Sequence, residues 1–288
     1  LPHYGLSYTA FASGRRAHRT PLPLTGTTVT VIDFAAFIEK LATVSGETIL
    51  PFFRTSLGIE NKKAGRDFDP VTEADRAAEA AMRRLISMNF PQHGIVGEEF
   101  GNERSDAEYV WVLDPIDGTK AFIGGFPVWG TLIALLHHGE PAFGMMHQPF
   151  IRERFFGDNG AARYRGPAGE RKLSVRRCPS LAEATLYTTT PLLMKQDQRA
   201  LFASVEEKVR LSRYGGDCYA YCMLAAGHVD LVIEAGLNSY DIAALVPIVR
   251  GAGGIVTTWD GKAAHHGGNI IAAGDPRVHE AAMKLLNS

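Results

Sequence analysis

Only three cysteines, Cys178, Cys218 and Cys222, occur among 288 residues. Their number and irregular spacing exclude a disulfide framework and a zinc-finger ligand set. No apolar stretch approaches the about 20 residues that cross a bilayer as a helix, so no membrane partner is expected. Charge of one sign is missing too: 30 Lys and Arg oppose 31 Asp and Glu, a formal net charge of −1. Such a balance offers no global field to nucleic acid, so no nucleic-acid partner is expected and any phosphate recognition must be local. Acidic residues are absent from the first 28 positions, which carry Arg15, Arg16 and Arg19 among scattered Pro, Gly, Ser and Thr without periodicity. Residues 1–28 read as a flexible tail whose composition an organelle transit peptide would share. Cytoplasm is the expected compartment, or a plastid if that tail is a transit segment.

What is present is core-building material. Hydrophobic residues make up 45% and charged residues 21% of the chain, enough for a large core. The length permits one large domain or two fused halves, read as 29–160 (α+β) and 161–288 (α/β). Asp33 opens a helix with a stripe of Phe34, Phe37, Ile38, Leu41 and Ile49. Thr72 is placed as N-cap of a second helix, with Asp75 in its first turn and Ala78, Met82, Leu85 and Ile86 on one face. Strands are expected at 131–136, 142–147 and 154–156, with a hairpin turn at Asn159-Gly160, extending an antiparallel sheet begun by the runs that end at Glu98 and Asp114. Helix and strand then alternate to the C-terminus, including a helix at 218–226, a strand at 229–234 and a helix at 241–250, which argues for an α/β layer with part of its sheet parallel. His137, His138 and His147 are not expected to form a metal site, because strand neighbours 137 and 138 would face opposite ways.

The chemistry concentrates at 110–119. An apolar run, Val110 to Leu113, ends in Asp114, Pro115, Ile116, Asp117, Gly118 and Thr119. A buried strand that delivers two carboxylates into a tight turn aims several oxygens at one point. A second apolar run, Ile95 to Gly97, ends in Glu98 and Glu99. If the two runs are neighbouring strands, at least three carboxylates converge and raise one another's pKa unless a cation neutralises them. With no His or Cys in either cluster, the donors suit Mg²⁺ or Mn²⁺. Taken alone, Asp114 and Asp117 could equally cap a turn. Asp241, ahead of the apolar stretch Ile242 to Val246, sits where a helix N-terminus favours an anion, or serves there as a simple cap.

Together, Glu98-Glu99, Asp114 to Thr119, and Tyr240-Asp241 followed by a helix and Gly251 to Gly254 resemble the inositol monophosphatase family of metal-dependent, lithium-sensitive phosphatases, from about residue 33 to the C-terminus. The resemblance implies a layered αβαβα sandwich and a homodimer. It implies that Glu98, Asp114, the Ile116 carbonyl, Asp117 and Asp241 hold two or three Mg²⁺, with Asp114 bridging. It further implies that Thr119, paired with Asp75, orients the attacking water, with Glu98 at that side. Gly118 and Thr119 would grip the phosphate through their amides, Lys63 or its neighbour Lys62 would reach over the site, and Glu234 would contact the organic moiety.

The segment Tyr214-Gly215-Gly216-Asp217-Cys218-Tyr219-Ala220-Tyr221 is similar to the histidinol-phosphate phosphatase branch. Asp217, at a position where inositol phosphatases usually show Ser or Thr, would pair with the substrate ammonium, or would cap the helix that follows. The expected activity is Mg²⁺-dependent hydrolysis of a small phosphate ester, histidinol phosphate first. Inositol monophosphate, fructose 1,6-bisphosphate or a 3′-phosphoadenosine nucleotide would use the same centre. A regulator that contacts RNA or the transcription machinery is the alternative from another class, with the basic segment 171–177 as its surface.

Overall fold

In the computed structural model of the chain, apolar periodicity decides which face each element buries. Residues 33–55, 59–61 and 70–288 are described, 59–61 and 70–72 as backbone only. The 1–28 tail, Lys62 and Lys63, and the Thr72 side chain lie outside the described residues. Helix α1 (Phe34–Ile49) turns Ile38, Leu41, Ala42 and Ile49 inward, with Phe34 and Phe37 half-buried at its start. Strands β1 (Ile59–Asn61) and β2 (Pro70–Thr72) pair antiparallel. Helix α2 (Glu73–Asn89) buries Ala74, Ala78, Met82 and Ile86 on one stripe.

An eight-stranded sheet follows from β3 (Gly94–Gly97), β4 (Gly101–Glu103), β5 (Tyr109–Asp117), β6 (Gly130–His137), β7 (Glu140–Gln148), β8 (Glu153–Gly157), β9 (Ala162–Gly166) and β10 (Gly169–Lys172), with the short helix α3 (Thr119–Ile123) after β5. Its order is β10-β9-β8-β7-β6-β5-β3-β4. The second sheet, ordered β12-β11-β13-β15-β14, comes from β11 (Thr185–Thr188), α4 (Gln196–Glu206), β12 (Leu211–Tyr214), α5 (Asp217–Ala225), β13 (Leu231–Leu237), α6 (Ser239–Ile242), α7 (Leu245–Gly251), β14 (Ile255–Thr258), β15 (Gly268–Ala273) and α8 (Pro276–Leu286). In it β11 runs parallel to β12 and β13, while β15 is antiparallel to β13 and β14.

Strand alternation splits the buried side chains of the first sheet between two cores. Trp111, Leu113, Ile133, Leu135 and Met145 meet Ile38 and Leu41 of α1 and Met82 and Ile86 of α2. Val112, Leu132, Ala134 and Met146 face the other way, onto Cys222 and Leu224 of α5, Ile248 and Val249 of α7, and Val232, Val256 and Ile270 of the second sheet. The outer face of that sheet, Leu231, Ile233, Ile271 and Ala273, is covered by Phe202 of α4 and Val278 and Ala282 of α8. The layers are therefore helix, sheet, helix, sheet, helix. Each fully buried large apolar side chain contributes about 1.5–3 kcal/mol, so both faces of each sheet hold the stack together.

Three local readings need correction. The strands that carry Glu98 and Asp114 are parallel neighbours, not the start of an antiparallel sheet, because the β3–β4 hairpin turns outward and the chain re-enters inside it as β5. The expected helix at 241–250 is broken at Ala243-Ala244. Pro247 explains the break, since its ring cannot donate to, and clashes with, the carbonyl four residues back. The histidine argument also fails: β6 ends at His137, His138 enters the turn with φ +50°, and the two rings lie 4.3 Å apart between centroids. His147, paired in register with Thr131 while His137 pairs with Glu140, sits at the far end of the same ladder.

Candidate active site

Gly97 of β3 stands opposite Leu113 of β5, and the Glu98 amide donates to the Leu113 carbonyl at 3.3 Å. Glu98 and Asp114 thus leave their strands at one level. Simple alternation would send Asp114 and Asp117 to opposite faces of the sheet. A bulge prevents this: Asp114 pairs with Leu132 and Asp117 with Gly130, so β5 carries one residue more than β6 between the two pairs. Thr131 donates its hydroxyl to the Pro115 carbonyl at 2.8 Å, and Thr119 donates to the Ile116 carbonyl at 3.0 Å, which fixes the turn. Phe53, Phe122 and Trp129 pack beneath Ile116 with ring centroids about 5 Å apart.

Asp241 arrives from the first turn of α6, where its carboxylate accepts the Asn238 amide at 2.6 Å and closes a capping box. It caps and converges at once, for oxygens of Asp114, Asp117 and Asp241 lie within 4.8 Å of one another. Asp114 is 1% exposed. Burial first, then the charges of Glu98, Asp117, Asp241 and Asp75, push its carboxyl well above the ordinary range. Its Oδ1 accepts no hydrogen bond among the described residues. Asp117 is raised by burial and by Asp217 and Asp241, and held back by the Cys218 amide, which donates to its Oδ2 at 2.7 Å. Buried oxygens that repel one another, one of them an orphaned acceptor, fit a hard divalent cation. Asp75 is also buried, in the first turn of α2.

A second acidic pair flanks this cluster. Gly118, with φ +84°, leaves so little room that a Cβ there would lie 3.2 Å from Cβ of Asp217. Asp217 itself adopts φ +42° as first residue of α5; the N-cap is Gly216, and the first-turn amide of Cys218 is taken by Asp117 rather than by Asp217. Burial raises the Asp217 carboxyl, while the Thr189 hydroxyl and the Lys120 charge pull it down. Gly216 is buried where a Cβ would crowd Ala220 and Tyr187. Glu234 ends the regular part of β13 and accepts the Thr189 amide at 2.6 Å, the Thr189 hydroxyl at 3.0 Å and the Thr188 hydroxyl at 3.1 Å. Burial still pushes Glu234 up to about 8, with Asp217 adding to the rise.

Several contributors escape sequence reasoning. Thr188, Thr189 and Lys120 act through contacts between segments far apart in the chain. Glu79 of α2 is fully buried and accepts the amides of Glu99 at 2.8 Å and Phe100 at 3.2 Å, gripping the loop that follows Glu98. Its only sequence signal is the spacing to Arg83, which reads as a surface pair.

The sequence profile of the inositol monophosphatase family matches residues 31–288. The chain belongs to the inositol monophosphatase family. Among relatives, it is 47% identical over 264 residues to "Bifunctional phosphatase IMPL2, chloroplastic" of Arabidopsis thaliana, covering 88% of this chain and 75% of that one. It is 36% identical to a "Histidinol-phosphatase" of Mycobacterium tuberculosis, covering 77% of this chain and 86% of the other. Among solved structures, an inositol monophosphatase from Zymomonas mobilis superposes with a TM-score of 0.80 at 43% identity, covering 89% and 98% of the two chains. As a family member the chain is a phosphatase that hydrolyses small phosphate monoesters, in a family that depends on metal ions. No helix among the described residues is long and apolar enough to cross a membrane.

The family's dependence on metal has a thermodynamic signature here. Without cations, Asp114, Asp117 and Glu234 titrate higher in the folded chain than in the unfolded one, Glu234 at about 8 against 4.5. Through these carboxylates the folded state holds more protons than the unfolded state across that interval, so their contribution to stability falls as pH rises, while buried histidines such as His147, lowered to about 4, oppose it only below about pH 6.5. Thermal unfolding of chelator-treated protein should therefore show Tm declining from about pH 6.5 to about pH 8, and Mg²⁺ should raise Tm most at the upper end. A Tm that climbs over this range in chelator contradicts the convergence of charges.

Proposed function

We propose that the chain is a Mg²⁺-dependent histidinol-phosphate phosphatase. The observation that carries the substrate is the pair Asp217 and Glu234, two carboxylates beyond those of the metal cluster, set beside the Gly118 turn where an ester's organic part would lie. A neutral polyol would leave the buried Asp217 carboxylate without a counter-charge, whereas a primary ammonium pairs with it through charge-assisted hydrogen bonds. The Mycobacterium tuberculosis relative supports the same substrate by its name.

In this reading Glu98, Asp114, the Ile116 carbonyl, Asp117 and Asp241 are the ligands. Mg²⁺ bound there supplies Lewis acidity, neutralising phosphoryl oxygens and easing deprotonation of water. The protein does the positioning. Thr119, its hydroxyl anchored on the Ile116 carbonyl, and buried Asp75 orient the attacking water. The amides that open α3 have no intrahelical acceptor and face the phosphate, and glycine at 118 lets the backbone approach. Asp217 takes the ammonium, and the protonated or hydrogen-bonded Glu234 takes the imidazole side.

A panel of phosphate esters assayed with Mg²⁺ tests the assignment, histidinol phosphate being expected to give the highest kcat/KM. Asp217→Asn keeps the shape and the left-handed backbone but removes the charge. Loss of one charged hydrogen bond, about 1.5–3 kcal/mol, should lower kcat/KM for histidinol phosphate about 10- to 100-fold. Hydrolysis of inositol 1-phosphate should change little. Equal losses on both esters would make Asp217 structural, and a preference for inositol 1-phosphate in the unmutated protein would overturn the substrate.

A further inference from the structure

Away from the catalytic cluster, the turn between β6 and β7 gathers a different donor set. We propose that Glu108, His137 and His138 form a site for a borderline divalent transition metal of the Zn²⁺ class. Oxygen of Glu108 and one ring nitrogen from each histidine lie within 4.8 Å of one another. His137 Nε2 is 3.2 Å from Glu108 Oε1, and His138 Nε2 is 3.9 Å from the same oxygen. Zn–N and Zn–O bonds of about 2.0–2.2 Å place tetrahedral ligands about 3.3–3.5 Å apart, so small side-chain rotations complete the set. Two imidazoles and one carboxylate select Zn²⁺, Co²⁺, Ni²⁺ or Cu²⁺ over Mg²⁺, the reverse of the oxygen-only cluster.

The backbone and its neighbours hold these groups in place. His138 and Gly139 have φ +50° and +82°, the two left-handed residues of a tight hairpin turn. That turn swings His138 back to the side of His137, and the His138 amide donates to the Glu108 carbonyl at 2.8 Å. His137 stacks on Tyr109 at 4.5 Å, Tyr109 on His93 at 5.0 Å, and His93 on Phe90 at 4.6 Å. This column of rings limits the orientations of His137, so a metal meets a ligand already ordered.

The donors also stand at a cavity. Glu108 and His138 line a space of about 570 Å³ together with Ser239, His265 and His266. His265 is 2% exposed, neither of its ring nitrogens makes a hydrogen bond among the described residues, and its Nδ1 lies 3.9 Å from Glu140. Burial holds its pKa down, which keeps the ring neutral with a lone pair available. A buried imidazole without a hydrogen-bond partner beside the three-donor set is the second sign that this region is built for a ligand.

The experiment uses the full chain with saturating Mg²⁺, so that the carboxylate cluster is satisfied. Calorimetric titration with Zn²⁺ should show one additional site. His138→Asn, which preserves the left-handed turn, should weaken that site at least tenfold while Tm in Mg²⁺ alone stays unchanged. Pulsed EPR of added Cu²⁺ should show imidazole nitrogen couplings, reduced in His138→Asn and in Glu108→Gln. A loss of Zn²⁺ affinity smaller than tenfold, or Cu²⁺ without imidazole coupling in the unmutated protein, overturns the assignment.

Discussion

Asp114→Asn should lower Mg²⁺-dependent kcat/KM on the order of a thousandfold, because a ligand charge whose Lewis-acid role is worth several kcal/mol disappears. The fold should survive. Asp114 lies in the middle of four other acids that raise its pKa, and one of its oxygens accepts no hydrogen bond among the described residues. Removing its charge relieves repulsion, so the cation-free variant should melt at or above the cation-free parent. Mg²⁺ should then add little to its Tm. Enzyme assays at graded Mg²⁺ and paired melting curves check both halves, and a variant with near-parental kcat would rule out a bridging role for Asp114.

Glu79→Ala should act through stability and metal affinity together. Arg83 donates to Glu79 at 2.7 Å and to Glu103 at 3.2 Å, and also reaches the Gly101 carbonyl. Gly97 is required beneath this pair, since a Cβ there would lie 2.0 Å from Glu79 Oε1. Deleting the carboxylate leaves the buried guanidinium with only Glu103, half-exposed, and the Gly101 carbonyl, and takes the acceptor from the amides of Glu99 and Phe100. Breaking a buried pair in this way costs about 3–5 kcal/mol, measurable by denaturant unfolding. With the loop after Glu98 released, half-maximal activity should need about tenfold more Mg²⁺, a change of 1.4 kcal/mol in binding. Glu79→Gln, which keeps the acceptor oxygen for one amide, should lie between. An Ala variant with unchanged Mg²⁺ dependence would separate Glu79 from the catalytic loop.

The convergence of Asp114 and Asp117 was legible because its signals are local. An apolar run before Asp114, a proline and a glycine around Asp117, and the Thr119 hydroxyl after them mark a strand that stops at a turn. The fold's layers could be read with the help of the family resemblance, since periodicity alone separates α/β from α+β poorly. What was hidden depends on partners distant in the chain. The bulge that brings Asp114 and Asp117 to one side exists only in the pairing with β6. The burial of Glu79 depends on Gly97 and the loop 99–101. Pro247, in the middle of the expected helix at 241–250, is the sequence signal that announces the break. His138 misled because strand alternation was carried one residue beyond the end of β6, into a turn with positive φ.

Asp114 and Asp117 extend from β5 of the first sheet, and Asp241 from the helix that follows β13 of the second. On the proposed ligand set, a cation held by these three side chains would be a reversible crosslink between sheets whose strands are distant in sequence, offsetting the entropic cost of closing the loop between them. At a hundred times its Kd such an ion would stabilise the folded chain by about 2.7 kcal/mol. Starvation for that ion would then do more than silence hydrolysis: it would loosen the seam between the sheets and open the chain to proteolysis there.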